Sequence, residues 1–191
     1  MARAMVVVES MFGNTEEVAH SVAEGLSDLF VVDVVPVGDA PAVMADDVQL
    51  LVVGGPTHAF GLTREGTRQA AMDQGASRST GSEFGLREWL AVLQPPSTTL
   101  AAAAFDTRIK KRGVPGSAAR GAMRRLRRLG VRAAARPSSF YVAGIEGPLL
   151  DGELARARSW GAHLATNVAA GQLPTQPSRS NDAQTTGRSA A

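Results

Sequence analysis

Residues 4–15 read Ala4-Met5-Val6-Val7-Val8-Glu9-Ser10-Met11-Phe12-Gly13-Asn14-Thr15, a continuous apolar run that breaks into a short polar loop around one glycine. An unbroken apolar run at this length is the pattern of a strand buried on both faces of a parallel sheet. The residues after it change period. Val18, Val22, Leu26 and Leu29 recur at helical spacing, with Glu16, Glu17, Glu24 and Asp28 off that face, so a helix follows the loop. Strand, glycine-bearing loop, helix is the opening of a βαβ unit, and the rest of the chain repeats it.

Phe30 to Val35 reads as a second strand, closed by Pro36 and the turn Gly38-Asp39-Ala40-Pro41. Leu50 to Val53 is a third buried strand ending at Gly54-Gly55-Pro56. The stretch from Thr63 to Glu83 is irregular and combines a short helix near Glu65 to Gln74 with a loop. Leu86 to Leu93, carrying Trp89, reads as a helix stopped by Pro95-Pro96, and Thr99 to Phe105 as a fourth strand despite its alanines. Ser117 to Leu129 fits a helix with Ala119, Ala122, Met123, Leu126 and Leu129 on one face and five arginines away from it. Ser138 to Ala143 makes a fifth strand. Asp151 suits the N-cap of a last helix in which Leu154, Ala157, Gly161, Leu164 and Val168 align. Alternating strands and helices predict an α/β fold, a three-layer, doubly wound, five-stranded parallel sheet. Residues 1–172 form one domain in this reading, and residues 173–191, without period, a disordered C-terminal tail.

The composition of the 191 residues narrows the function. Hydrophobic residues make up 44% and charged residues 20%, near globular averages. No apolar run reaches membrane-spanning length and none has the pattern of a signal peptide, so the sequence reads as soluble and cytoplasmic, with no membrane partner. Without cysteine there is no disulfide framework, thiolate nucleophile or Cys-ligated metal, and redox chemistry would need an organic cofactor. His20 and His163 sit in predicted helices with no His or acid set at metal-ligand spacing and read as structural. Residues 1–60 hold nine acids and one base, whereas Arg108 to Arg136 contains eleven Arg or Lys and no acid. That stretch is a candidate anion-facing surface. Few aromatics interleave it, which favours a solvated helix face over a nucleic-acid interface.

In a doubly wound sheet, ligands sit beyond the carboxyl ends of the strands. Three loops lie there. Ser10, Met11, Phe12, Gly13, Asn14 and Thr15 offer hydroxyls, a glycine and a helix N-terminus, either an anion cradle or a capped turn. The spacing of a nucleoside-triphosphate P-loop is absent, as is Gly-x-Gly-x-x-Gly. Pro56, Thr57, His58, Ala59, Phe60 and Gly61 combine a rigid proline, a hydroxyl, an imidazole and a ring, parts suited to a flat heterocycle. Phe105, Asp106, Thr107 and Arg108 would close the same crevice, or Asp106 and Arg108 would pair with each other.

The chain resembles the flavodoxin-like FMN-binding family over about residues 4–170. The resemblance rests on the order of elements, on Ser-x-x-Gly-x-Thr at residues 10–15, on Gly-x-Pro-Thr-His at residues 54–58, and on Glu146-Gly147-Pro148-Leu149 through Glu153. It implies sheet order 2-1-3-4-5 and FMN as cofactor. Its phosphate would lie on Ser10 to Thr15, with one side of the flavin on Pro56 to Gly61 and the other on Phe105 to Arg108. Typical members sandwich the ring between aromatic side chains; here Phe60 is the candidate in the second loop, the third loop has neither Trp nor Tyr, and Tyr141 falls in the fifth strand. The implied function is electron transfer with a partner protein or small-molecule acceptor, the basic segment favouring a partner with an acidic docking face. Two other readings remain. One is an FMN-dependent reductase of quinone or nitro-type acceptors, with residues 63–83 and Phe60 as a lid. The other is a flavin-free interaction module using its basic helix.

Overall fold

The computed structural model describes residues 2–58, 61–76, 84–96, 100–111 and 116–171. Ala59 and Phe60 of the second loop, residues 77–83, Thr99 and the tail expected at 173–191 lie outside these. The elements run β1 (Ala2–Val8), α1 (Asn14–Leu26), β2 (Phe30–Pro36), β3 (Val48–Pro56), α2 (Glu65–Asp73), α3 (Leu86–Val92), β4 (Ala101–Ile109), α4 (Ala118–Arg128), β5 (Arg132–Ala133), β6 (Ser138–Val142) and α5 (Glu153–Ala169). All ladders are parallel, in the order β2-β1-β3-β4-β5, with β6 also pairing β4. Among the described residues no helix is long and apolar enough to cross a membrane.

The apolar runs explain the sheet. Along β1, Met5 and Val7 face one core while Ala4, Val6 and Val8 face the other; β3 divides Leu51 and Val53 from Leu50 and Val52 in the same way. A strand buried on both faces needs no polar alternation. One layer holds α3 and α4, with Trp89 fully buried; the opposite layer holds α1 and α5. In that second layer Phe105, Phe140 and Trp160 meet edge to face, with ring centroids 5.9–6.2 Å apart. Gly54 makes the room, since a Cβ there would lie 2.0 Å from the Phe105 ring.

Several expectations are corrected. The single fifth strand at Ser138 to Ala143 is one edge position built in two pieces, β5 against Ala101–Ala102 and β6 against Phe105–Ile109. Pro137, which has no amide proton for a ladder, lies between them. Gly54-Gly55-Pro56 belongs to the end of β3, so Pro56 is a strand residue rather than part of the loop after it, and Phe105 to Arg108 belongs to β4 rather than to the loop after it. Leu29 and Leu129 are exposed because each falls past the last turn of its helix, where helical spacing no longer sets direction. The cap of α5 is Gly152, with φ 81°, instead of Asp151. In the first turn the Glu153 carboxylate turns inward to accept from the Tyr141 amide at 2.8 Å, which leaves Leu154 facing out.

Candidate functional site

The carboxyl ends of β1, β3, β4 and β6 open into one cleft of about 320 Å³, within the usual range for small-molecule pockets. The first loop supplies Met11, Phe12, Asn14 and Thr15, the second Pro56, Thr57 and His58, and the end of β4 supplies Thr107 and Arg108. These three groups are the ones the sequence brings forward, and nine of their sixteen residues meet here. Ser10 and Gly13 stand just behind the lining; Gly61 lies on the far side of the His58 turn.

At one end of the cleft is the start of α1. Gly13 takes φ 86°, a left-handed value that suits glycine, and turns the chain into the helix. The Ser10 hydroxyl accepts from the Glu16 amide at 3.3 Å, while the first amides of any helix have no intrahelical acceptor and point outward as donors. The hydroxyls of Thr15 and Thr107, both buried, share a hydrogen bond of 2.7 Å that ties α1 to the end of β4. Asn14 Nδ2 donates to the Glu146 carbonyl at 2.9 Å, fastening the loop after β6 to the same rim. Glu16 and Glu17 occupy the first turn of α1 but are exposed, on the side away from inward-facing Thr15. The inner donors are therefore neutral hydroxyl and amide groups aided by a helix dipole, a set that fits one monoester phosphate.

The middle of the cleft is apolar on one wall and carbonyl- and imidazole-bearing on the other. The described ends of the second loop are tied down: the Thr57 amide donates to the Thr107 carbonyl at 2.9 Å, and His58 and Gly61 exchange backbone hydrogen bonds of 3.1 and 3.0 Å. Burial holds the His58 imidazole below its ordinary value, so the ring is neutral near pH 7. Ile109 and Ile145 are largely exposed and face the cleft from the ends of β4 and β6. On the other side Ala70 and Ala71 of α2 and its cap residue Gln74 line it, and Met11, Ala71 and Ala76 form a small cluster with Phe12 against it.

Two residues of the third group do not reach the cleft. Phe105 is 1% exposed and sits in the α1–α5 core. Asp106 is fully buried beneath α4, where Oδ2 accepts from Thr57 Oγ1 at 2.9 Å, Ser117 Oγ at 2.5 Å and the Ala119 amide at 3.0 Å. Strand parity is the reason: alternate β4 side chains face opposite layers, and only the last few residues rise past the edge of the sheet. Arg108 instead donates from Nη1 to the Gly116 carbonyl at 2.8 Å. Tyr141 is half-buried on the strand surface near Lys110 and Arg156, outside the cleft lining and outside the core.

Sequence reasoning missed the loop after β6 as a cleft wall, and brought helix α2 to the cleft only in the reductase reading, within the lid of residues 63–83. The former was within reach, since Ile145 immediately precedes the Glu146-Gly147-Pro148 segment; Ala70, Ala71 and Gln74 carry no chemical signal. It also missed a buried polar network under the first loop. Glu9, 1% exposed, accepts from Thr63 Oγ1 at 2.5 Å and from the Leu86 amide at 2.7 Å, and Arg68, equally buried, donates to Thr63 Oγ1 at 3.1 Å and pairs with Glu88 at 3.0 Å. Burial pushes the Glu9 carboxyl up, against the hydrogen bonds and Arg68 charge that favour its ionised form. The network pins α2 and α3 to the end of β1.

Comparison with known proteins places this architecture. No family model matches the chain and no curated protein matches it in sequence. Among solved structures it is similar to a flavodoxin from Streptococcus pneumoniae TIGR4, at TM-score 0.60 and 20% identity over 87% of this chain and 99% of that one. It is similar also to a flavodoxin from the domain Archaea, at TM-score 0.59 and 19% identity over 87% and 99%. The flavodiiron core of Flv1 from Synechocystis sp. PCC6803 aligns at TM-score 0.58 and 16% identity, covering 89% of this chain and 37% of that one. The chain has the flavodoxin-like fold.

Proposed function

We propose that the cleft binds FMN noncovalently and that the protein transfers electrons between the flavin and a redox partner, a protein or a small acceptor. The observation that supports this best is the meeting, in one crevice, of a neutral hydroxyl-and-amide cradle at a helix start with a partly apolar lining. When bound, FMN supplies one- and two-electron redox chemistry. The chain's part is to bind and orient. Ser10, Asn14, Thr15 and the first amides of α1 would hold the phosphate; Pro56, Thr57 and His58 would line one side of the ring, and Thr107, Arg108 and Ile109 the other. Met11, Phe12 and the alanines of α2 would exclude water.

The test is a titration of purified protein into FMN, following flavin fluorescence and the visible spectrum. Quenching with a dissociation constant of about 10 μM or lower supports the reading. Thr15→Val should weaken binding about tenfold, since it removes a hydroxyl from the cradle and strands that of Thr107. Absence of binding at ~1 mM FMN overturns it.

A further inference from the structure

Beyond the wall formed by His58 and Thr67 a second, larger concavity of about 630 Å³ opens between the His58–Gly61 turn, α3 and α4. Arg64, Arg87, Arg120, Arg124, Arg125 and Arg128 surround it. Among the described residues none of the six is in an ion pair. Glu88, the nearby acid, is engaged by Arg68 at 3.0 Å. Arg87 donates to the carbonyls of Thr63 and Leu62 at 2.9 and 2.7 Å, and Arg125 Nη1 to the carbonyl of Arg87 at 2.5 Å. Neutral carbonyls fix where these two guanidinium groups sit, and Glu88, which Arg68 also engages, offsets only part of the charge at Arg125.

The fold does not require this crowding. Arg120, Arg124 and Arg128 recur every four residues on α4, and like charges at that spacing destabilise a helix. Burial, and then the charges of Arg87 and Arg128, hold Arg125 below its ordinary value against the opposing charge of Glu88. The start of α4 is not the attraction, because its amides are already taken: Ala118 by Thr57 Oγ1 at 2.8 Å, Ala119 by Asp106, Arg120 by Ser117 Oγ at 3.1 Å. The floor is kept low by glycine, since a Cβ on Gly121 would meet only the Leu62 side chain, at 3.6 Å, and one on Gly61 would meet nothing.

We propose that this groove is a binding site for a nucleotide carrying two or more phosphates, its phosphates on Arg120, Arg124 and Arg128 and its remainder extending toward His58 and Thr67 at the mouth of the cleft. Planar guanidinium groups match phosphate oxygens in bidentate geometry, and several around one concavity select a compact polyanion. A concave site between packed elements suits a small molecule; an acidic protein face would meet a flatter surface. The site does not depend on whether flavin occupies the cleft.

The experiment is isothermal titration of the full chain with ADP, NADP⁺ and inorganic pyrophosphate at low and moderate salt. ADP or NADP⁺ should bind in the micromolar range and weaken as salt rises. Arg124→Gln should lower that affinity about tenfold, and Arg132→Gln, on β5 away from the groove, should leave it unchanged. Because Arg124 is exposed, the variant should fold; unchanged FMN affinity in it separates failure of the groove from failure of the cleft. No binding of either nucleotide at ~1 mM, equal affinity in Arg124→Gln, or binding of pyrophosphate alone overturns the proposal. So does displacement of bound nucleotide by a polyglutamate peptide that binds more tightly with the same dependence on Arg124, which would assign the groove to an acidic protein surface.

Discussion

Asp106 shows how much of the site one buried carboxylate organises. Its Oδ2 accepts from the second loop and, twice, from the start of α4, at its cap residue and in its first turn, so two segments distant in sequence are set by one oxygen. Hydrogen bonds to a charged acceptor contribute about 1.5–3 kcal/mol, and stranded buried donors cost a similar amount. Asp106→Ala should therefore destabilise the protein by about 3 kcal/mol in urea unfolding and loosen the second loop; a loss below about 1 kcal/mol would mean that these donors find other partners. His58 gives a prediction in pH. Its folded-state value is depressed by burial from 6.5, so below that pH the unfolded chain takes up the proton first and stability falls as pH is lowered toward the folded value. His58→Gln should flatten the decline in Tm between pH 7.5 and 5.5. Parallel curves for the two proteins would remove His58 from the acid response. Arg108, at the cleft wall, should stabilise the anionic reduced flavin. Arg108→Ala should lower the FMN midpoint by about 20 mV, equivalent to about 1 kcal/mol for a two-electron couple, and an unchanged potential would show that its charge is screened.

Between elements, the close crossing of α1 and α5 depends on two glycines. A Cβ on Gly25 would fall 2.0 Å from the Arg158 carbonyl oxygen, and one on Gly161 2.3 Å from that of Val22. Both obstacles are backbone, so neither can yield by changing rotamer. Gly161→Ala gains about 1 kcal/mol in helix propensity yet forces the helices apart over a packed core. A net loss of about 2 kcal/mol is expected by chemical denaturation, and a stabilised variant would contradict the crossing. Neither glycine announces this in the sequence, where each reads as a small residue on an apolar face. The strands were legible because residues 4–8 and 50–53 are apolar without interruption, and the site's place followed from their carboxyl ends. The inward or outward facing of Phe105 and Asp106 was not, because the Ala101 to Ala104 run has no alternation from which to set parity. The Glu9 network was equally hidden. A lone acid at a strand end reads as solvated, and the groups that hold it, Thr63, Arg68 and the Leu86 amide, are contributed by segments that only the tertiary fold brings together.

At the scale of the whole molecule, the two proposed ligand sites are neighbours that differ in charge. Most acids of residues 1–60, among them Glu16, Glu17, Asp28, Asp39, Asp46 and Asp47, are exposed, and arginines of α3 and α4 collect around the groove beside the cleft. Such a basic patch raises the local concentration of anions at the groove, where the proposed nucleotide would enter. Two sites that share only His58 and Thr67 at a common wall should fill independently. FMN at a hundred times its dissociation constant adds about 2.7 kcal/mol to the folded state, which for a chain of this size raises Tm by about 5–10 °C. ADP at a matched multiple of its own constant should add a similar increment on top, because the stabilisations of separate sites sum. A combined shift no larger than the greater single one would mean that the two compete, and the groove would then be an arm of the flavin cleft instead of a second site.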